Sequence, residues 1–126
     1  MSADADVAVV TRFNDRINLG RIDGLAALMT DDHVFIDTAD NVVSGKANVI
    51  DAWRAFFAAF PDYRNVFDAV VVRADMVVAT GHSISSAPRL DGPAIWTAKV
   101  RDGRLTEWRV HHDTPEIRQR LKIGSA

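Results

Sequence analysis

Up to Phe60 apolar residues recur mostly at the three- and four-residue steps of helices, with one strand among them, and after Pro61-Asp62 the pattern changes to that of strands. Val7, Val10, Phe13 and Ile17 make one stripe of an amphipathic helix over residues 4–19, and Gly20 suits its C-terminal cap. Asp23 can cap a second short helix with Leu25, Leu28 and Met29 inward, before Thr30-Asp31-Asp32 breaks it. His33 to Asp37 reads as a first strand. From Ser44 onward Val49, Ile50, Trp53, Phe56, Phe57 and Phe60 share one helical face, until Pro61, which has no N–H to donate, ends it.

Beyond the proline, Val66–Val72, Met76–Ser86, Ala94–Arg101 and Arg104–Asp113 are rich in Val, Ile, Thr and Trp and read as strands. Asp102-Gly103 predicts a two-residue hairpin turn, because both positions need positive φ. Pro88 to Pro93 forms a longer loop, and Pro115 opens a short C-terminal helix through Leu121. The order ααβα followed by four meandering strands predicts an α+β fold, with the helices on one face of a mostly antiparallel sheet. A strongly twisted sheet wrapped on three helices leaves a cavity at its open end.

The 126 residues suffice for a single core. Fifteen Lys plus Arg against seventeen Asp plus Glu leave a formal charge of −2, so no basic field exists to hold nucleic acid or an anionic membrane. With no cysteine, disulfides, thiolate nucleophiles and cysteine-bound metals drop out together. No metal site is expected: His111 and His112 are neighbours on a strand and diverge, and no His pair has helical i, i+4 spacing. Gly81-His-Ser-Ile-Ser85 lacks the last glycine of a nucleophile elbow, and Gly45-Lys-Ala47 lacks the rest of a phosphate loop. The acidic start and the lack of a long apolar run predict a cytoplasmic protein with no membrane span.

Hairpin register predicts which groups meet. An unbulged two-residue turn sets Trp96 opposite Arg109 and Ala94 opposite His111. Ala94, Trp96, Ala98 and Val100 are the apolar set, so Leu105, Glu107, Arg109, His111 and Asp113 would point inward with them. A bulge after Trp108 would instead turn Val110 and His112 inward. A carboxylate in an apolar pocket loses hydration, which raises its pKa and suits it to proton transfer near neutral pH. Asp37 and Asp113 are the candidates; the alternatives are a strand-end cap for Asp37 and a helix N-cap for Asp113. His82, between Gly81 and Ser83, could relay a proton or orient a carboxylate, or be a partly buried His with one hydrogen bond. Tyr63, the only tyrosine, could donate to a ligand carbonyl, and Trp53 and Trp96 could form an aromatic wall, with packing the alternative for all three.

The run Gly20 to Asp37, then Ser44-Gly-Lys-Ala47, Phe60-Pro61-Asp62, and Asp102-Gly-Arg-Leu-Thr-Glu-Trp-Arg109 followed by Asp113, resemble in that order the SnoaL-like branch of the NTF2-like superfamily. The resemblance covers nearly the whole chain and implies one domain over 1–126, a cystatin-like cone and a homodimer. In ketosteroid isomerases of this superfamily an Asp on the first strand is the base, and Asp37 matches it. Phe13 and Trp96 stand where those enzymes carry the Tyr and the acid of the oxyanion hole. Limonene-type epoxide hydrolases share Asp113, with His82 and Ile84 at their other two active positions. SnoaL-type polyketide cyclases share Phe60-Pro61-Asp62 and Asp113, and His82 could replace their His.

Two readings result. In one, a cofactor-independent isomerase, cyclase or dehydratase uses Asp37 or Asp113 as base, assisted by His82. Its small apolar or carbonyl-containing substrate is bound among Phe13, Trp53, Tyr63, Trp96, Arg109 and His111. In the other, a non-catalytic domain binds a small ligand or dimerises through Trp108, Val110 and Ile95 on the outer sheet face.

Overall fold

A computed structural model describes residues 3–124; Met1 and Ser2, at the acidic start, and the last two residues lie outside the described residues. The elements run α1 (Ala3–Leu19), α2 (Ile22–Ala27), β1 (Met29–Ile36), β2 (Val42–Ser44), α3 (Lys46–Ala59), β3 (Arg64–Arg73), β4 (Met76–Ile84), β5 (Gly92–Arg101), β6 (Arg104–His112) and α4 (Pro115–Arg120). Six strands form one sheet in the order β2-β1-β6-β5-β4-β3. All neighbours are antiparallel except β1 and β6, which run parallel. The fold is α+β, three N-terminal helices on a curved, mixed sheet.

The periodic segments form as their patterns require. Val10, Phe13 and Ile17 of α1 are buried in the main core, where they meet Trp96, Ala98 and Trp108 from the sheet. Asp102 and Gly103 both have positive φ, as the tight turn between β5 and β6 demands. Three local expectations need correction. Arg21, not Asp23, precedes α2 as its cap residue, and Thr114 caps α4 by accepting the N–H of Ile117. The short edge strand β2 is additional, because three residues carry too little alternation to be read. β1 begins at Met29, four residues early, and from Met29 to Val34 it steps out of register with β6.

The register of the last hairpin is also corrected. Val100 pairs with Leu105 but Lys99 pairs with Glu107, so Thr106 is an extra residue without a partner. One extra residue inverts the alternation for the rest of the strand. Trp108 and Val110 therefore face the helices beside Trp96 and Ala98, while Arg109 and His111 face the other side beside Thr97 and Ile95. The outer contact surface expected from Trp108, Val110 and Ile95 does not form. Trp108 is in the core, Val110 lines the cavity, and Ile95 is buried with Val78 and Leu121 where α4 folds over the sheet. A second bulge, at Asp68, brings the Val66 carbonyl so close to Gly81 that a Cβ there would lie 1.9 Å from its oxygen. Gly81 thus serves the sheet.

Candidate functional site

At the open end of the sheet a cavity of about 340 Å³ lies between α3 and the inner face. Phe35 reaches it from β1, Trp53 and Phe56 from α3, Tyr63 from the residue before β3, Asn65 from β3, and Trp108 and Val110 from β6. The rings pack edge to face: Phe35 and Trp53 are 5.7 Å apart at 70°, Trp53 and Phe56 5.7 Å apart at 85°, and Phe56 and Tyr63 4.8 Å apart at 89°. Such pairs add to the stability of an aromatic wall beyond the area they bury. Asp37 and Thr38 stand at the mouth.

Two polar systems adjoin this apolar space. The first is buried. Ser83 donates to the Asn65 amide oxygen at 2.9 Å, which leaves its oxygen to accept from the Tyr63 hydroxyl at 3.2 Å. Burial pushes the Tyr63 pKa up, against opposing bonds to Ser83 and Asn65, so the phenol keeps its proton at neutral pH. Because β3 is the sheet's edge, the backbone of Asn65 would lack partners on one side. Helix α1 supplies them: Asn18 accepts the Asn65 N–H at 2.8 Å, and the amides of Asn18 and Asn14 donate to its carbonyl at 2.9 and 3.2 Å.

The second system is the turn after β1. Asp37 Oδ1 accepts the backbone N–H groups of Ala39 at 2.8 Å and Asn41 at 3.0 Å, and Oδ2 accepts the Asn41 side-chain amide at 3.1 Å. Burial pulls the Asp37 pKa up, but the two bonds from Asn41 and the one from Ala39 outweigh it and hold the carboxyl below its ordinary value. The raised pKa expected from the sequence is therefore corrected. Lost hydration is replaced by N–H donors rather than by hydrocarbon.

Of the sequence candidates, the structure brings Asp37, Trp53 and Tyr63 together around the cavity. It separates the others. Phe13 and Trp96 are sealed in the core, Phe13 against Trp108 at 4.8 Å and Trp96 against Phe67 at 5.1 Å. His82 faces outward, with Nδ1 3.9 Å from Asp68, because Ser83 holds the inward position beside it. Asp113 is tied to Arg118 through two bonds of 2.6 and 2.8 Å, and that arginine holds its carboxyl below the ordinary range despite partial burial. The Thr106 bulge turns Arg109 and His111 away; Arg109 pairs with Asp40, and His111 bonds Thr97 at 2.9 Å. Burial and the positive charges of Arg109 and Arg120 push the His111 pKa down to about 4.

Asn65 and Ser83 were missed by sequence reasoning. One signal was available: Asn14 stands four residues after Val10 and three before Ile17, on the buried stripe of α1, and a buried amide there requires partners. Among the described residues no three His, Asp or Glu side chains are grouped to hold a metal ion, and no helix is long and apolar enough to cross a membrane.

The fold is of the NTF2-like, cystatin-like class: helices followed by a curved, mixed sheet of six strands. The chain belongs to the SnoaL-like domain family, whose sequence model matches residues 10–108. A protein from Jannaschia sp. CCS1 that carries the provisional name SnoaL-like polyketide cyclase superimposes with a TM-score of 0.74 at 19% identity, over 99% of this chain and 98% of that one. An NTF2-like protein of unknown function from Burkholderia pseudomallei gives 0.74 at 16%, over 96% and 98%. An uncharacterized cystatin-fold protein from Novosphingobium aromaticivorans gives 0.69 at 16%, over 82% and 94%. These likenesses are of fold. No curated protein matches the chain.

Proposed function

We propose that the protein binds a small, mostly apolar molecule in the cavity beneath α3. The observation that carries this reading is the cavity itself: about 340 Å³, walled by five aromatic side chains and open to solvent beside one carboxylate. That size falls within the range of small-molecule sites. The three tryptophans give a direct test, because Trp53 and Trp108 line the cavity and Trp96 does not. Titration with a small aromatic such as 1-methylnaphthalene should shift the indole N–H resonances of Trp53 and Trp108, leave Trp96 nearly still, and fail in Val110→Phe, which fills the space. Shifts confined to other surfaces, or none at millimolar ligand, overturn the reading.

A second reading, catalysis as an isomerase, cyclase or dehydratase, is favoured by one observation: Asp37 is the carboxylate that lines the cavity. The provisional cyclase names of related folds support it in kind. Against it stands the hydrogen bonding of Asp37, since a carboxylate that already accepts three N–H groups is a weak base. Hydrogen–deuterium exchange α to the carbonyl of a bound ketone such as 1-acetonaphthone, lost in Asp37→Asn, would establish this chemistry. Exchange no faster than in buffer would exclude Asp37 as a base toward that ketone.

A further inference from the structure

We propose that the ligand carries a protonated amine, held at the cavity mouth by Asp37 against the faces of Phe35 and Trp53. This rests on the binding reading above and specifies the ligand's polar end. The charges around the cavity are one-sided: Asp37 contributes a carboxylate, and no Lys, Arg or His side chain is among the described residues that line it. Two cations lie near and both are engaged: Arg109 on β6 faces the other side of the sheet and pairs with Asp40, and Arg89 lies over the Phe60 ring at 5.2 Å. An anionic ligand would meet the Asp37 charge with no cation among the lining residues.

The polar groups of the lining differ in depth. The Tyr63 hydroxyl is engaged with Ser83, and the donors without a partner, Asn65 Nδ2 and the indole N–H groups of Trp53 and Trp108, are buried behind the cavity wall rather than at its mouth. At the mouth stand the Thr38 hydroxyl and, as the one charged group, the Asp37 carboxylate, an acceptor. A carboxylate has about four lone-pair sites. Three hydrogen bonds occupy two on Oδ1 and one on Oδ2, which leaves one on Oδ2 for a ligand N–H. The turn also holds the carboxylate ionised and in place, so the ligand meets a preorganised charge.

The aromatic walls fit the same head group. Phe35 lies near the end of β1, two residues before Asp37 in the following turn, and both line the cavity. Its ring is 5.7 Å from that of Trp53. An ammonium bound at Oδ2 shares the cavity with both rings, and on the cavity side of the carboxylate it can approach an aromatic face, where a cation is stabilised by the ring quadrupole. A charge-assisted N–H···O bond and cation–π contact then offset the lost hydration of the amine, while its apolar body fills the cavity.

Four naphthalene probes of similar size test this by the tryptophan indole resonances: 1-naphthylmethylamine (protonated at pH 7), 1-methylnaphthalene, 1-acetonaphthone and 1-naphthoate. The amine should bind at least about tenfold tighter than the hydrocarbon and the ketone, with naphthoate weakest. In Asp37→Asn the amine should bind no tighter than 1-methylnaphthalene binds to the same variant. If the ketone or naphthoate equals the amine, or if Asp37→Asn keeps the amine's advantage, the proposal falls and the binding reading stands. If no probe moves Trp53 or Trp108, the binding reading itself falls. Should Asp37→Asn fail to fold, the ranking of the four probes on the wild-type protein decides.

Discussion

The closed and open ends of the cone use the same strands, yet they settle their polar groups differently. At the closed end β1 leaves the ladder between Met29 and Val34, and side chains replace the missing backbone pairs. The ring Nδ1–H of His33 donates to the Leu105 carbonyl at 2.7 Å and Thr30 donates to the same oxygen at 3.3 Å, while Leu105 N–H reaches back to Leu28. Phe13, Met29, His33 and Leu105 are all sealed from solvent there. At the open end the turn satisfies Asp37 from one side and leaves the aromatic rings facing a hollow. Close packing is concentrated at one end, and the cavity lies at the other.

That contrast breaks if truncating either end costs the same. Phe13→Ala should lose about 3–5 kcal/mol, since it opens a cavity in packed core. Phe35→Ala only widens an existing one and should lose about 1–2 kcal/mol, the transfer energy of a partly exposed ring. Urea denaturation of both variants measures the difference. Equal losses would mean that the hollow at the mouth is as tightly packed as the core.

Acid sharpens the contrast through the buried histidines. Burial lowers the pKa of His33, against the opposing pull of its bond to Leu105 and the charge of Asp32, and that of His111 falls to about 4. Both rings are neutral when folded but take up a proton near pH 6.5 when unfolded. The unfolded chain therefore binds more protons below that pH, and the stability each neutral ring provides, complete above it, drains away as pH falls toward the folded value. Each contributes up to about 1.4 kcal/mol per pH unit in its window, which for His111 runs from about 6.5 to 4. His33→Asn keeps a donor for Leu105 and removes one titration, so stability between pH 7 and pH 5 should fall less steeply than in the wild type. An unchanged slope would show that His33 does not titrate on unfolding.

How far the sequence could be read follows from the same physics. The helices, the Asp102-Gly103 turn and the four long strands were legible because period and turn chemistry are local. Thr106 was not. One extra residue in a strand leaves composition and alternation looking ordinary while it exchanges the faces of Trp108, Arg109, Val110 and His111. The expected site failed for that reason at Arg109 and His111, and at Asp37 for another. Asp37 was placed correctly, but its pKa depends on Ala39 and Asn41, whose N–H groups converge on it only once the turn is formed.

The smallest effect is the most diagnostic for the open end. Asp37→Asn retains a side-chain oxygen for the backbone N–H groups of Ala39 and Asn41, and asparagine suits such turns as well as aspartate does. Its cost at pH 7 should stay below about 1 kcal/mol by chemical denaturation, the scale of one partly exposed hydrogen bond. Because the folded pKa of Asp37 is lowered, its contribution is present above the unfolded carboxyl value near 3.9 and is lost as pH drops through the folded one. The variant should therefore differ from the wild type less at pH 2.5 than at pH 7. A near-neutral change in stability combined with loss of amine binding would separate the turn's two duties: a few N–H groups hold it closed, and the remaining acceptor faces the ligand. A loss of several kcal/mol would instead make Asp37 a structural pillar of the mouth, and the contrast between a stabilising closed end and a binding open end would no longer hold.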